Sequence, residues 1–164
     1  NGRTAAEMAM SYLLNKGHLR IGYVGECESE VRYLGCRNML INNNISFDQS
    51  LVYITAQSEE GGRRAARKII TTPNSPSALF CANDATAIGV LSELRALAPD
   101  APAVISIDNI DKAQEKHFQL TTIHIPIQEM GAMVSKLLAD RLQKGHSLPV
   151  RVEFPCNLVR RQSS

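Results

Sequence analysis

The chain has 164 residues, of which 44% are hydrophobic and 21% are charged, and this length and composition suit one globular domain with a sizeable core. Its 18 Lys and Arg against 16 Asp and Glu leave a net charge of only +2. A domain that binds nucleic acid by itself usually carries a larger basic excess on one face, so these residues are not expected to bind DNA directly. No run of 18 apolar residues is present, which excludes a transmembrane helix.

The first part of the chain alternates between helical and extended patterns. Hydrophobic residues recur at helical spacing in three segments, and short apolar runs between them predict buried strands. Ser58 is a predicted N-cap, because two glutamates follow it in the first helical turn. The predicted elements are a helix over 3–16, a strand over 21–25, a helix over 29–43, a strand over 51–54 and a helix over 58–70.

The same alternation continues to the end of the chain. Asp84 is a predicted N-cap, and Gly145 is predicted to end the last long helix. Strands separated by helices of about 10 to 15 residues predict an α/β fold, with a parallel sheet flanked by helices on both faces. The predicted elements are a strand over 78–81, a helix over 84–97, a strand over 103–107, a short helix over 110–117, a strand over 120–125, a helix over 127–144 and strands over 150–154 and 158–159.

The cysteines favour a reducing compartment. Cys27, Cys36, Cys81 and Cys156 form no C-x-x-C pair, and no histidine lies at metal-site spacing from any of them. We therefore predict free structural thiols, no metal and a cytoplasmic location, since disulfides belong to oxidising compartments. The polar, helix-like segment that follows Asn1 does not resemble a signal peptide, which favours the same location.

The sequence offers no catalytic constellation. It lacks a G-x-S-x-G elbow, a G-x-x-x-x-G-K-[ST] phosphate loop and an H-E-x-x-H helix, and Gly22 and Gly25 do not complete a dinucleotide fingerprint. His124 lies in a predicted strand, where a packed or surface group is more common than a base. No nucleophile can be paired with a base, so we predict neither an enzyme nor a cofactor.

Three polar side chains follow predicted strands at the edge where parallel sheets bind ligands. These are Arg32, Asn83 and Asp108. A guanidinium donates from a fixed fork, a carboxylate accepts, and an amide does both, so the set can bracket the hydroxyls of a sugar. The alternatives are a solvated helix residue for Arg32, a turn residue for Asn83 and a loop cap for Asp108. The pattern alone leaves both interpretations open.

Eight segments of the chain match one set of family motifs in order. Their positions and sequences are 17–25 (GHLRIGYVG), 32–37 (RYLGCR), 59–62 (EEGG), 83–89 (NDATAIG), 105–110 (ISIDNI), 120–123 (LTTI), 126–131 (PIQEMG) and 158–163 (LVRRQS). Together they resemble the C-terminal part of the effector-binding domain of lactose-repressor-type (LacI/GalR) bacterial transcriptional regulators. Each motif is weak alone, whereas eight in order are specific. Gly62 and Ile107 depart from the pattern, which has aromatic residues there.

The resemblance implies a periplasmic-binding-protein-like I fold, with an effector in the cleft between two lobes. It implies that residues 1–125 form mainly the C-terminal lobe, that 126–147 form a helix returning to an absent N-terminal lobe, and that 148–164 form terminal strands. The apolar stripe of that helix is expected to pack on another copy of the chain or to be held in an abnormal place. This stripe comprises Met130, Val134, Leu137, Leu138 and Leu142.

The resemblance also assigns roles to individual residues. Arg32, Asn83 and Asp108 fall on the family's effector-contacting positions, which agrees with the strand-end argument. Ala56 falls near the position that often carries an aromatic stacking platform. Ile88 matches a position in the family's dimer interface, with ordinary core packing as an equal alternative.

The function implied is effector sensing within a bacterial transcriptional repressor. The effector is a sugar or related small metabolite, and the protein is expected to be a homodimer that binds operator DNA only through a headpiece absent from this chain. The alternative is a periplasmic-type solute-binding protein for a sugar. The repressor-like motif at 158–163 and the unpaired cysteines argue against it.

Overall fold

The computed structural model describes residues 2–97, 100–144 and 148–164. Helices and strands alternate along this part, and two single 3₁₀ turns lie at Gln49–Leu51 and Asp111–Gln114. The helices are α1 (Gly2–Asn15), α2 (Val31–Asn42), α3 (Glu59–Thr71), α4 (Asp84–Leu97) and α5 (Ile127–Lys144). The strands are β1 (Ile21–Gly25), β2 (Val52–Ile54), β3 (Ala78–Cys81), β4 (Ala103–Asp108), β5 (Thr121–His124) and β6 (Asn157–Val159).

The strands form one sheet in the order β2-β1-β3-β4-β5-β6. The first five are mutually parallel, and β6 pairs antiparallel with β5 at one edge. The predicted α/β fold with a mainly parallel sheet is therefore confirmed. Since parallel strands all end on the same side, the loops after β1, β2, β3 and β4 lie along one edge.

The sheet has a hydrophobic core on each face. Tyr23 and Phe80 point to the face covered by α1 and α2, whereas Val24 and Leu79 point to the face covered by α3 and α4. This alternation follows from the two-residue period of strands and explains why the strands are apolar throughout.

The cysteines are all unpaired, as predicted, and burial raises the pKa of the Cys36 thiol to about 12.

The end of the chain differs from the prediction. Residues 150–154 were expected to form a strand, but the segment pairs with no strand of the described part and only β6 extends the sheet. Apolar alternation favours a strand, yet a strand needs a neighbour to satisfy its backbone groups. The expected helix over 110–117 is a single 3₁₀ turn, and the expected helix end at Gly145 lies outside the described residues.

Helix α5 carries an apolar stripe on an uncovered face. Val134 is 56% exposed, Leu138 57% and Leu142 86%, and no side chain over 127–143 is fully buried. A groove of about 620 Å³ opens beside its first turn, between Met130 and the segment 151–156. This exposure is unusual for a globular chain, so we expect this face of α5 to be an interaction face.

Helices α3 and α4 approach each other closely through glycine. A Cβ atom at Gly89 would overlap the carbonyl oxygen of Glu59, and one at Gly62 would overlap that of Thr86. Gly62 is the position where the resembled motif has an aromatic residue. Replacing Gly89 with alanine is therefore expected to lower the free energy of unfolding by about 2 kcal/mol, because two helix backbones must separate.

Gly131→Ala is the matched control for this experiment. It lies in α5, and a Cβ there meets nothing within 4 Å. Alanine is the better helix former by about 0.5–1 kcal/mol, so this variant should be slightly more stable. Urea unfolding followed by circular dichroism measures the free energy of unfolding of both variants. Equal effects of the two substitutions would contradict the close packing of α3 on α4.

Candidate functional site

The three predicted binding residues lie at the carboxyl edge of the sheet. Arg32 lies in the first turn of α2, and its Nη1 donates to the carbonyl of Ala82 at 2.6 Å, just after β3. Asn83 is the next residue along the chain, and Asp108 is the last residue of β4. The Arg32 guanidinium also acts to lower the pKa of Asp108, so the two charges are close enough to interact. The structure thus brings all three residues together.

Arg32 is held in place by Glu30, which the sequence argument did not single out. The Glu30 carboxylate accepts from the Arg32 backbone N–H at 3.0 Å, from its Nε, and from the Tyr23 hydroxyl at 3.2 Å. It therefore caps α2 and orients the guanidinium at the same time. The Arg32 side chain is only 21% exposed, so it is not a solvated surface residue. Glutamate is an uncommon N-cap, and no local pattern indicated this role.

Asn83 has two hydrogen-bonding roles. Its Oδ1 accepts from the backbone N–H of Thr86 at 2.9 Å, which caps α4. Its Nδ2 donates to Oε1 of Gln57 at 3.0 Å, and Gln57 in turn donates to Glu26 at 3.2 Å. The prediction that Asp84 caps this helix was therefore wrong. A polar chain connects the loops after β1, β2 and β3 instead.

Asp84 has a different structural role. It is fully buried, and its Oδ1 accepts from the hydroxyls of Ser106 and, at 2.6 Å, Thr122. Its Oδ2 accepts from the backbone N–H of Ile110 at 2.8 Å. Burial raises the pKa of Asp84, while the hydroxyl donors act in the opposite direction. Asp84 thus links α4 to β4, β5 and the turn that follows Asp108.

Asp108 has an unusual backbone conformation and a carboxyl group with a shifted pKa. Its φ is 124° and that of Asn109 is 59°, so the turn passes through the left-handed region that most residues avoid. Burial, and then the nearby Asp84 charge, raise the pKa of Asp108 to about 6, against the opposing effect of Arg32. Such strain and perturbation are concentrated at functional sites.

A second network fixes the turn beside Asp108, and sequence reasoning did not find it. Arg161 Nη2 donates to Asn109 Oδ1 at 2.8 Å, and Asn109 Nδ2 lies 3.2 Å from Nδ1 of His124. Because a guanidinium can only donate, the amide oxygen is the acceptor and the amide nitrogen donates to the ring. Arg161 also donates to the carbonyl of Leu120 at 2.7 Å.

The sequence also singled out Ile88 as a candidate dimer contact and Ala56 as the platform position. Ile88 is fully buried in the core between the sheet and α3–α4, so core packing accounts for it and it offers no surface to a partner. Ala56 is exposed just after β2, which leaves the expected platform position without a ring. Among the described residues, no cluster of three or more His, Cys, Asp or Glu could hold a metal ion.

The arrangement suits the binding of a polyhydroxyl compound. The edge offers a carboxylate, an amide and a guanidinium, and hydrogen bonds within the chain orient the last two. The groove beside α5 is lined by different residues, including Ile125, Met130 and Phe154. We therefore place the candidate site at the strand ends, which form an open surface in this chain.

Residues 10–164 match the family model described as a periplasmic binding protein-like domain. The chain belongs to this family. It is 32% identical over 173 residues to the transcriptional repressor MelR of Bacillus subtilis, covering 98% of this chain and 50% of MelR. It is 30% identical over 163 residues to the repressor PurR of Shigella sonnei, covering 95% of this chain and 48% of PurR.

Solved structures give the same result. A LacI family regulator from Enterococcus faecium with bound ribose superposes with a TM-score of 0.91 at 27% identity, covering all of this chain and 63% of that one. The resemblance to LacI-family regulators is confirmed. The chain spans about half the length of the curated relatives described above.

Within the described ranges, no helix has the length and apolar character needed to cross a membrane.

Proposed function

We propose that this protein senses a small-molecule effector, a sugar or related metabolite, as part of a bacterial transcriptional repressor. The observation that carries the proposal is the convergence of Arg32, Asn83 and Asp108 at one edge, where Glu30 orients the guanidinium and Gln57 contacts the amide. The relatives named as repressors and the ribose-bound neighbour support it. The same relatives favour a repressor over a periplasmic-type solute-binding protein.

The proposed mechanism is a population shift. An effector bound between this lobe and a second one favours the closed arrangement, because only there does it contact both lobes. The lobe orientation then alters DNA affinity through a coupling free energy between the two sites. Operator DNA is bound by a part of the protein outside these residues, which fits the net charge of +2.

The domain assignment is part of the same proposal. Residues 1–125 form the C-terminal lobe, 126–147 return to the other lobe, and 148–164 are the terminal segment, with 145–147 lying outside the described residues. The exposed stripe of α5 supports this division, since it is the face that a second lobe would cover. A cytoplasmic homodimer is the proposed state of the intact protein, with contacts made by residues other than the buried Ile88.

The site assignment is tested with Arg32→Ala. Calorimetry of the intact protein against sugars, sugar phosphates and nucleobases first identifies a binding compound. The substitution is expected to weaken that binding by about 2 kcal/mol, because the effector loses a charge-assisted partner in a partly buried site. Arg37→Ala is the matched control, since Arg37 is exposed on the same helix. Equal affinities of wild type and Arg32→Ala would exclude Arg32 from the site.

The exposed stripe of α5 leads to a prediction for the 164-residue chain alone. Its apolar side chains are expected to drive self-association or to bind a dye that reports exposed hydrophobic surface. Light scattering after size-exclusion chromatography measures the first, and dye fluorescence the second. Leu138→Glu, at a position that is 57% exposed, should reduce both. A clean monomer without dye binding would contradict the interaction face.

A further inference from the structure

An open groove of about 380 Å³ separates helix α1 from strand β6, and its walls include Met8, Tyr12 and Leu158. Strand β6 runs antiparallel to β5, and its last residue, Val159, lies opposite Thr122 near the start of β5. The groove therefore lies towards the amino ends of the parallel strands, whereas the candidate effector site lies at their carboxyl ends.

Two positive charges lie against one aromatic ring in this groove. The Lys16 Nζ is 5.3 Å from the centroid of the Tyr12 ring, and the guanidinium carbon of Arg160 is 5.7 Å from the same centroid. The Tyr12 hydroxyl donates to the carbonyl of Ser164 at 3.1 Å, which orients the ring. Cation–π contacts thus hold an ammonium and a guanidinium at one wall of the groove.

No carboxylate balances these two charges. Lys16 and Arg160 form no ion pair within the described ranges, and the residues that line the groove include no Asp or Glu. By contrast, Arg20 is paired with Asp48 and Arg67 is paired with Glu93.

The excess of positive charge also acts on Tyr12 itself. Burial acts to raise the pKa of the Tyr12 hydroxyl, but hydrogen bonds and the charges of Lys16 and Arg160 lower it below its ordinary value. An anion placed in the groove would meet the same favourable potential.

The end of α1 does not need the Lys16 ammonium as a cap. The carbonyls of Tyr12, Leu13 and Leu14 accept from backbone amides of residues 16–18, so the last turn of the helix is already satisfied. The Lys16 ammonium and the Arg160 guanidinium are both at exposed residues, where an external partner can reach them.

The groove suits an extended acidic chain better than a small anion. A single exposed ion pair contributes little, because water and salt screen it. An extended segment gains more, since its carboxylates can meet both cations while an apolar side chain covers Met8 and Leu158. Its backbone also has the outer side of β6, which no other strand of the described part occupies. Pairing of β6 with β6 of a second copy would bring like charges together instead.

We propose that the groove between α1 and β6 is a docking site for an extended acidic segment of a partner protein, bound beside β6 with its carboxylates at Lys16 and Arg160. The proposal is independent of the effector site, because the two lie at opposite ends of the sheet.

Fluorescence anisotropy on the intact protein tests the charge requirement. The probe is a labelled short peptide of alternating glutamate and valine, and its matched control has glutamine in place of glutamate. The acidic peptide is expected to bind at least about tenfold more tightly. Its affinity should fall as salt rises from about 0.05 M to about 0.5 M. Equal affinities of the two peptides would overturn the proposal.

Paired substitutions locate the binding site. Lys16→Ala combined with Arg160→Ala should weaken binding of the acidic peptide at least about tenfold. Arg64→Ala combined with Lys68→Ala is the matched control, because it removes the same two residue types from exposed positions on α3. Equal losses in both double variants would show a general effect of charge and would exclude the groove.

Charge reversal provides a gain of binding that loss of folding cannot imitate. Lys16→Glu combined with Arg160→Glu should bind a peptide of alternating lysine and valine more tightly than the wild type does. The acidic peptide should also lose affinity when alternate backbone nitrogens are methylated in the phase that faces β6, because those donors then cannot pair with the strand. If neither phase of methylation weakens binding, the segment does not lie beside β6.

Two further results would assign the groove to another occupant. Inorganic phosphate that competes as effectively as the unlabelled acidic peptide would identify a small-anion site and overturn the proposal. A change in oligomeric state in the Lys16→Ala, Arg160→Ala variant, measured by light scattering, would assign the groove to a second copy of the chain and overturn it as well.

Discussion

Replacing Asp84 by alanine is expected to lower the free energy of unfolding by about 4 kcal/mol, the largest effect predicted for this chain. The substitution leaves the buried hydroxyls of Ser106 and Thr122 and the amide of Ile110 without their acceptor. Buried donors without a partner lose their hydration and gain nothing in return. The turn after β4 should loosen as well, so effector affinity should fall with stability.

Urea unfolding of the intact protein and of Asp84→Ala measures this difference. Asp100→Ala provides the control, because Asp100 is exposed between α4 and β4. Surface substitutions of this kind usually change stability by less than about 0.5 kcal/mol. A loss below about 1 kcal/mol for Asp84→Ala would show that its hydrogen bonds contribute little.

Replacing Asp108 by asparagine is expected to have opposite effects on stability and on binding. Near pH 7 the variant should be more stable than the wild type by about 2 kcal/mol, because it removes a charge that burial and Asp84 disfavour. Effector affinity should fall by about 2 kcal/mol or more, since a charged acceptor is lost. Asparagine tolerates the left-handed backbone at this position, so the fold should be retained.

The pH dependence of stability checks the cause of this effect. The pKa of Asp108 is raised to about 6 in the folded chain, above the value near 3.9 of an unfolded aspartate. Between these two values the folded state binds more protons, so stability falls as pH rises from about 4 to about 6. In Asp108→Asn, the fall in stability between about pH 4 and about pH 6 that comes from this residue should be absent. Asp111→Asn, exposed in the next turn, should keep it, and the same pH profile in all three proteins would contradict the assignment.

Asp84 and Asp108 have different roles at the candidate site. Asp84 has all its acceptors used within the chain, so it stabilises the fold. In Asp108, burial and the charge of Asp84 raise the pKa, so the fold disfavours its ionised carboxylate. Functional sites commonly retain residues that lower stability in this way.

Much of the fold and part of the site followed from the sequence by itself. Helical and strand periods are local properties, because each depends on which face of a short segment is apolar. They determined the helices and the first five strands, and their alternation determined a parallel sheet. A parallel sheet places all its strand ends on one side, so Arg32, Asn83 and Asp108 could be expected at one edge before any contact was known.

The tertiary structure decided which side chains meet and which remain uncovered. Asn83 and Asp84 are adjacent and both suit an N-cap, and only the positions of Ser106 and Thr122 determine that Asp84 points into the sheet instead. Arg161 contacts Asn109 across 52 residues, a distance over which periodicity carries no information. The segment 150–154 has a strand-like pattern but no neighbouring strand in the described part. Packing between distant segments, rather than local pattern, determines all three outcomes, because a side chain's role depends on the partner that the fold brings to it.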